Sequence, residues 1–167
     1  MRIKICLLLL ILLASLAPPA GAGAPSREYQ IKAAFLYNFV QFVEWPADAF
    51  AAADSPIILA VVGDNPFGES LRQVIAGKSV GGRRLEVAHF PRAADVDEDD
   101  VDQVIRKAQQ KAILTVSDVD GFTRAGGVIR FYLDDGKIRF EINVAAAEKS
   151  RLKISSRLLK LAKVLGN

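Results

Sequence analysis

GGVIRFYLDDGKIRFEINVAAAEKSRLKISSRLLKLAKV, residues 126–164, is the stretch whose reading decides the fold. Two runs of alternating character, Val128 to Leu133 and Lys137 to Asn143, flank Asp135-Gly136, the residue pair that a type I′ hairpin turn favours. A two-residue loop there sets Leu133 opposite Ile138, Phe131 opposite Phe140 and Ile129 opposite Ile142, so that all six share one apolar face. The other face sets Tyr132 beside Arg139 and Arg130 beside Glu141. That last pair has opposite charge and supports the same register independently. Downstream, Ala145 to Ala147 read as a short helical turn. Ser155 or Ser156 caps a last helix on which Leu158, Leu161, Ala162 and Leu165 recur at helical spacing.

The hairpin needs a layer to cover it, and the upstream sequence supplies candidates. Ser26 is an N-cap for a helix through REYQIKAAFLYNFVQFVEW, which Pro46 ends. Its stripe Ile31, Phe35, Phe39 and Phe42, widened by Leu36, Val40 and Val43, asks for burial on most sides. A core helix laid on a sheet is the plainer reading. A partner contact through Tyr37, Glu44 and Trp45 is the sharper one. IILAVVGD after Pro56 is a continuous apolar run that suits a strand buried on both faces. Gly63-Asp64-Asn65-Pro66 then turns into a helix whose stripe is Phe67, Leu71, Val74 and Ile75. A loop through Gly81-Gly82 leads to a strand from Arg84 to Phe90, ended by Pro91.

The acidic run DVDEDD at 95–100 precedes VDQVIRKAQQK, where Val101, Val104, Ile105 and Ala108 fall at helical spacing and the basic residues come last, in accord with the helix dipole. Ala112 to Val116 is the next apolar strand, and Ser117 to Arg124 a polar connection. Strand, helix, strand, helix, strand, then hairpin and helix predict a three-layer α/β fold, a parallel sheet with an antiparallel C-terminal hairpin.

Composition narrows the function classes. Arg2 and Lys4, the apolar run Ile5 to Ala17 and small residues up to Ala24 have the layout of a secretory signal peptide, predicting a cleaved leader at 1–24 and one domain over 25–167. At about 1.5 Å per residue that run spans roughly 20 Å as a helix, short of the roughly 30 Å needed to cross a bilayer. The formal charge of +3 owes two of its units to Arg2 and Lys4, so the basic balance gives no support for a nucleic-acid partner. The single cysteine, Cys6, lies in the leader. The exported domain would hold together by packing alone, without disulfides.

No catalytic constellation stands out. AGKS at 76–79 lacks the upstream glycine of a phosphate-binding loop, because Arg72 occupies that position. VVGDNPFG lacks dinucleotide spacing. His89 is the only histidine and reads as a half-buried structural residue. Asp64, Asp118 and Asp120 could gather at the carboxyl ends of parallel strands, the edge where α/β domains bind ligands, although aspartate at caps and turns is the commoner reason. The residues predict no enzyme, cofactor or metal. A pocket formed by Gly63, Asp64, Ser117 and Asp118 remains as a small-ligand alternative. On the hairpin's polar face Arg130, Tyr132, Arg139 and Glu141 offer an aromatic ring and paired charges suited to a protein contact.

Five blocks in order, EYQIKAAFLYNFVQFVEWP, VVGDNPFG, AGKSVGGRRLEV, ILTVSDVDGFTRAGG and KIRFEINVAAAEKSRLKISSRLLKLAKV, resemble the periplasmic YfiR/HmsC family across nearly the whole exported region. The resemblance implies a Rossmann-like, non-catalytic domain, often a homodimer. It implies binding to the periplasmic domain of an inner-membrane diguanylate cyclase, which is repressed, lowering cyclic-di-GMP synthesis and biofilm formation. An outer-membrane lipoprotein would sequester the inhibitor. Two departures stand out. Family members commonly carry a further strand and a helix between the positions of Pro91 and Ile113, where this chain has only RAADVDEDDVDQVIRKAQQKA, and the cysteines that pair in some members are absent.

Overall fold

The computed structural model describes residues 26–90, 105–106, 109 and 111–165. The expected leader at 1–24, the acidic run at 95–100 and most of the helix expected after it lie outside the described residues. The chain is a mixed α/β protein, and the hairpin register is the one its sequence dictates. β6 (Ile129–Asp134) and β7 (Lys137–Asn143) pair antiparallel with Ile129 opposite Ile142, Phe131 opposite Phe140 and Arg130 opposite Glu141. Asp135 and Gly136 both adopt positive φ, 47° and 69°, as a type I′ turn requires.

Six of the expected elements form with shifted ends. α1 (Arg27–Phe42) starts at Ser26, whose Oγ accepts from Tyr29 N at 3.5 Å. It stops before Trp45 because β1 (Val43–Glu44) leaves the helix to pair antiparallel with β8 (Lys153–Ile154). β2 (Ile57–Val62) runs parallel to β4 (Arg83–Phe90), and β3 (Ser79–Val80) joins β4 from its other side through the turn at Gly81-Gly82. α2 (Ser70–Ile75) is shorter than expected, since Asn65 Oδ1 accepts from Phe67 N at 3.1 Å and holds residues 65–67 as a turn. α3 (Val144–Lys149) is capped by Asn143, whose Oδ1 accepts from Ala146 N at 2.9 Å. The strand expected at Ala112 to Val116 shortens to β5 (Val116–Ser117), parallel to β6.

Two expectations need correction. The last helix, α4, covers only Ser156–Leu159 and is capped by Ser155; Lys163–Leu165 forms β9 instead, parallel to β7. The open edge of β7 offers ladder hydrogen bonds at Glu141 to Asn143, and β-branched Val164 suits a strand. Leu161, expected in the core, is consequently exposed. The second correction concerns β2. Only Ile57 is buried there, whereas Ile58, Ala60 and Val62 face outward and line a cleft.

The described strands form a three-stranded sheet ordered β2-β4-β3, a four-stranded sheet ordered β5-β6-β7-β9 and the β1-β8 pair. Parallel and antiparallel pairings are equally numerous among them. α1 bridges two cores. Phe39 packs on Phe140 and Phe131 with ring centroids 4.9 and 5.5 Å apart, while Val40 meets Ile57, Ile75 and Leu85. Burial of rings of this size dominates the stabilisation. Four members of the hairpin's apolar face are buried. Ile138 is half-covered and Leu133 is 60% exposed, because it lies at the turn end beyond the reach of α1.

Candidate functional site

The residues expected to contact a partner separate into two groups. Arg130 and Glu141 turn inward. Glu141, its side chain only 7% exposed, accepts from Thr123 Oγ1 at 2.6 Å and from Arg130 Nε at 2.9 Å, with Lys163 Nζ 3.9 Å away. Arg130 also pairs with Asp120 through its Nη1. Burial alone would push the Glu141 carboxyl up, but the Arg130 and Thr123 hydrogen bonds outweigh it and hold it below its ordinary value. The Arg130 guanidinium is held above its ordinary value, chiefly by Glu141. This network ties the turn-rich segment 119–127 to the sheet. Arg139 remains outside, 52% exposed and only 3.9 Å from Asp134, with Tyr132 half-buried on its flank.

Tyr37, Glu44 and Trp45 lie elsewhere. Lys78 Nζ sits 4.1 Å from the Tyr37 ring centroid, Glu44 is exposed on β1, and Trp45 packs half-buried between the two cores. They do not merge with the hairpin face into one described cluster.

The residues of the ligand alternative converge more closely. A cleft of about 910 Å3 opens between β2 and residues 111–118, and Asp64, Ser117 and Asp118 all line it. Gly63 stands beside it, its carbonyl accepting from His89 Nε2 at 2.7 Å. That histidine is exposed rather than half-buried. Asp118 anchors one end of the cleft, accepting from Lys32 Nζ at 2.7 Å and from Tyr29 Oη at 3.0 Å. Lys32, with 6% of its side chain exposed, also pairs with Glu28 at 2.6 Å and lies 4.5 Å from the Tyr29 ring centroid. Burial would lower the Lys32 ammonium, yet the Asp118 and Glu28 carboxylates hold it above its ordinary value. For Asp118 the Lys32 and Tyr29 hydrogen bonds outweigh the effect of burial and lower the carboxyl. Tyr29 moves the other way, raised by burial and by Asp118.

Sequence reasoning missed Lys32. The signal was present, since Lys32 stands three, four and seven residues before Phe35, Leu36 and Phe39 and so shares the apolar face of α1. A buried cation there requires a counter-charge. Among the described residues no cluster of three or more histidine, cysteine or acidic side chains is placed to hold a metal ion.

A comparison with curated proteins finds no match. Residues 29–163, from the first turn of α1 to the first residue of β9, match the profile described as YfiR/HmsC-like, and the chain belongs to that family.

Proposed function

We propose that this protein is a non-catalytic periplasmic regulator that binds the periplasmic domain of an inner-membrane diguanylate cyclase and represses it, lowering cyclic-di-GMP signalling and biofilm formation. The observation that carries this reading is family membership across residues 29–163. It includes export by a cleaved leader at 1–24, a single domain over 25–167 with the Rossmann-like layering of the family, a homodimer as the working form and an outer-membrane lipoprotein as a further partner. Arg139, exposed and loosely held on a rigid strand, is the hairpin residue best placed to meet the cyclase, with Tyr132 beside it.

Co-purification of the protein with the periplasmic domain of a candidate cyclase, read beside cellular cyclic-di-GMP, tests this function. Complex formation with a fall in cyclic-di-GMP supports it; neither would refute it. Arg139→Glu is expected to weaken the complex and leave thermal unfolding nearly unchanged. An unaltered binding curve removes the hairpin face from the interface.

The cleft favours a second reading, a sensor of a small ligand, because it joins an apolar body to the polar end built by Lys32, Asp118 and Tyr29. Saturable thermal stabilisation by a metabolite, lost in Asp118→Asn, supports that reading. A metabolite panel without effect on unfolding counts against it.

A further inference from the structure

A second pocket, of about 350 Å3, opens where the helical turn at Ile105 and Arg106 meets the segment 119–127 and α3. Three cations, Arg106, Arg124 and Lys149, line it, and among the described residues none of the lining is acidic. None of the three forms an ion pair or hydrogen bond with a described residue. By comparison, Lys32, Arg72, Arg130 and Arg151 each have a carboxylate within 3 Å.

The neutral polar groups of the walls are already committed. Gln109 Nε2 donates to the Gly126 carbonyl at 3.2 Å, and Asn143 Nδ2 donates to the Thr123 carbonyl at 2.8 Å. These bonds fix the backbone from which the cations project. Ile105 beside Arg106 is buried, Arg124 follows buried Thr123, and Lys149 closes α3 behind buried Ala146 and Ala147. Gly127 sharpens the frame, because a Cβ there would stand 2.2 Å from the Phe122 ring. The walls are therefore fixed while the charges they carry have no carboxylate partner among the described residues.

Like charges gathered on one concavity repel, and a multivalent anion between them converts that repulsion into attraction. We propose that this pocket binds a small phosphate-bearing anion. Two guanidinium forks suit the paired oxygens of a phosphate, and the ammonium adds a point charge. The volume admits a phosphate with an organic substituent. A soluble phosphate monoester and the phosphate of an anionic lipid headgroup share this chemistry.

Calorimetric titration of the purified protein with sodium pyrophosphate and with AMP at constant ionic strength, beside vesicles of phosphatidylglycerol and of phosphatidylcholine, tests the site. Saturable binding of either soluble probe assigns a soluble ligand. Binding of phosphatidylglycerol vesicles alone assigns the headgroup. In both cases Arg106→Ala combined with Arg124→Ala is expected to weaken binding about tenfold or more, and Lys160→Ala, an exposed cation outside the pocket, to leave it unchanged. Lys149→Ala gives an independent weakening should the double variant fold poorly. Absence of saturable binding to all four probes, or equal weakening by Lys160→Ala, overturns the proposal.

Discussion

Glu141→Ala should destabilise this protein more than any other single change on the polar face of the hairpin. The wild-type carboxylate holds Thr123 at 2.6 Å and Arg130 at 2.9 Å. Its removal leaves a guanidinium that is only 16% exposed with Asp120, a solvated residue on a turn, as its remaining partner. Breaking a buried pair from one side costs about 3–5 kcal/mol, and the residual solvent access of Arg130 places the expected loss near ~3 kcal/mol. Thr123→Val removes one hydrogen bond to a charged group and should cost about 1.5–3 kcal/mol. Lys163→Ala serves as the contrast. Its ammonium is 62% exposed and 3.9 Å from Glu141, so about 0–0.5 kcal/mol is expected. Urea unfolding followed by the fluorescence of Trp45, the single tryptophan, measures all three. A loss below ~1 kcal/mol for Glu141→Ala, or an equal loss for Lys163→Ala, would refute the reasoning.

Phe140→Ala should cost about 3–5 kcal/mol, because the ring is buried against Phe39, whereas exposed Leu133→Ala should stay within about 0.5 kcal/mol; equal urea midpoints would contradict the core assignment. The Glu141 and Asp118 carboxyls are both held below their ordinary values, so they bind fewer protons folded than unfolded near those values. Their contribution is fully present above the unfolded values and disappears as pH falls through the folded ones. The urea midpoint is thus expected to drop in the acid range and less steeply in Glu141→Gln; a parallel drop in both proteins would contradict this. Lys32→Met should change stability by less than about 1 kcal/mol, since Glu28 and Asp118 are each more than a third exposed and regain water, while a loss above ~3 kcal/mol would show that they do not.

The hairpin was legible because two independent signals agreed. Apolar alternation and the pairing of Arg130 with Glu141 select the same register, and Asp135-Gly136 supplies the turn that joins it. The cap at Ser26 and a cap at Ser155 or Ser156 were also legible, since a cap is a local event, and the structure selects Ser155. Residues whose fate depends on distant segments were not. Leu158, Leu161, Ala162 and Leu165 fit a helix until β7 offers Lys163–Leu165 an open edge. Glu141 reads as solvated until segment 119–127 folds over it with Thr123 and Asp120. The continuous apolar run of β2 signals burial on two faces, yet Ile58, Ala60 and Val62 line the cleft. Of the candidate ligand residues, Asp64, Ser117 and Asp118 line one cleft, a grouping legible because strand ends are predictable from sequence. Lys32, which holds Asp118 in place, comes from a different element and required the tertiary structure.

The position of β2 at the end of its sheet has a consequence for handling the protein as well as for its fold. IILAVV is a six-residue segment without charge, proline or glycine, and only one of its edges is paired among the described residues. Such a segment is a template on which another chain can add a strand, and stacked copies of it have the composition of a dry fibril core. Replacing outward-facing Ala60 with lysine sets a charge in the middle of that template. Slower self-association of the Ala60→Lys protein at high concentration would mark β2 as the seed of its aggregation.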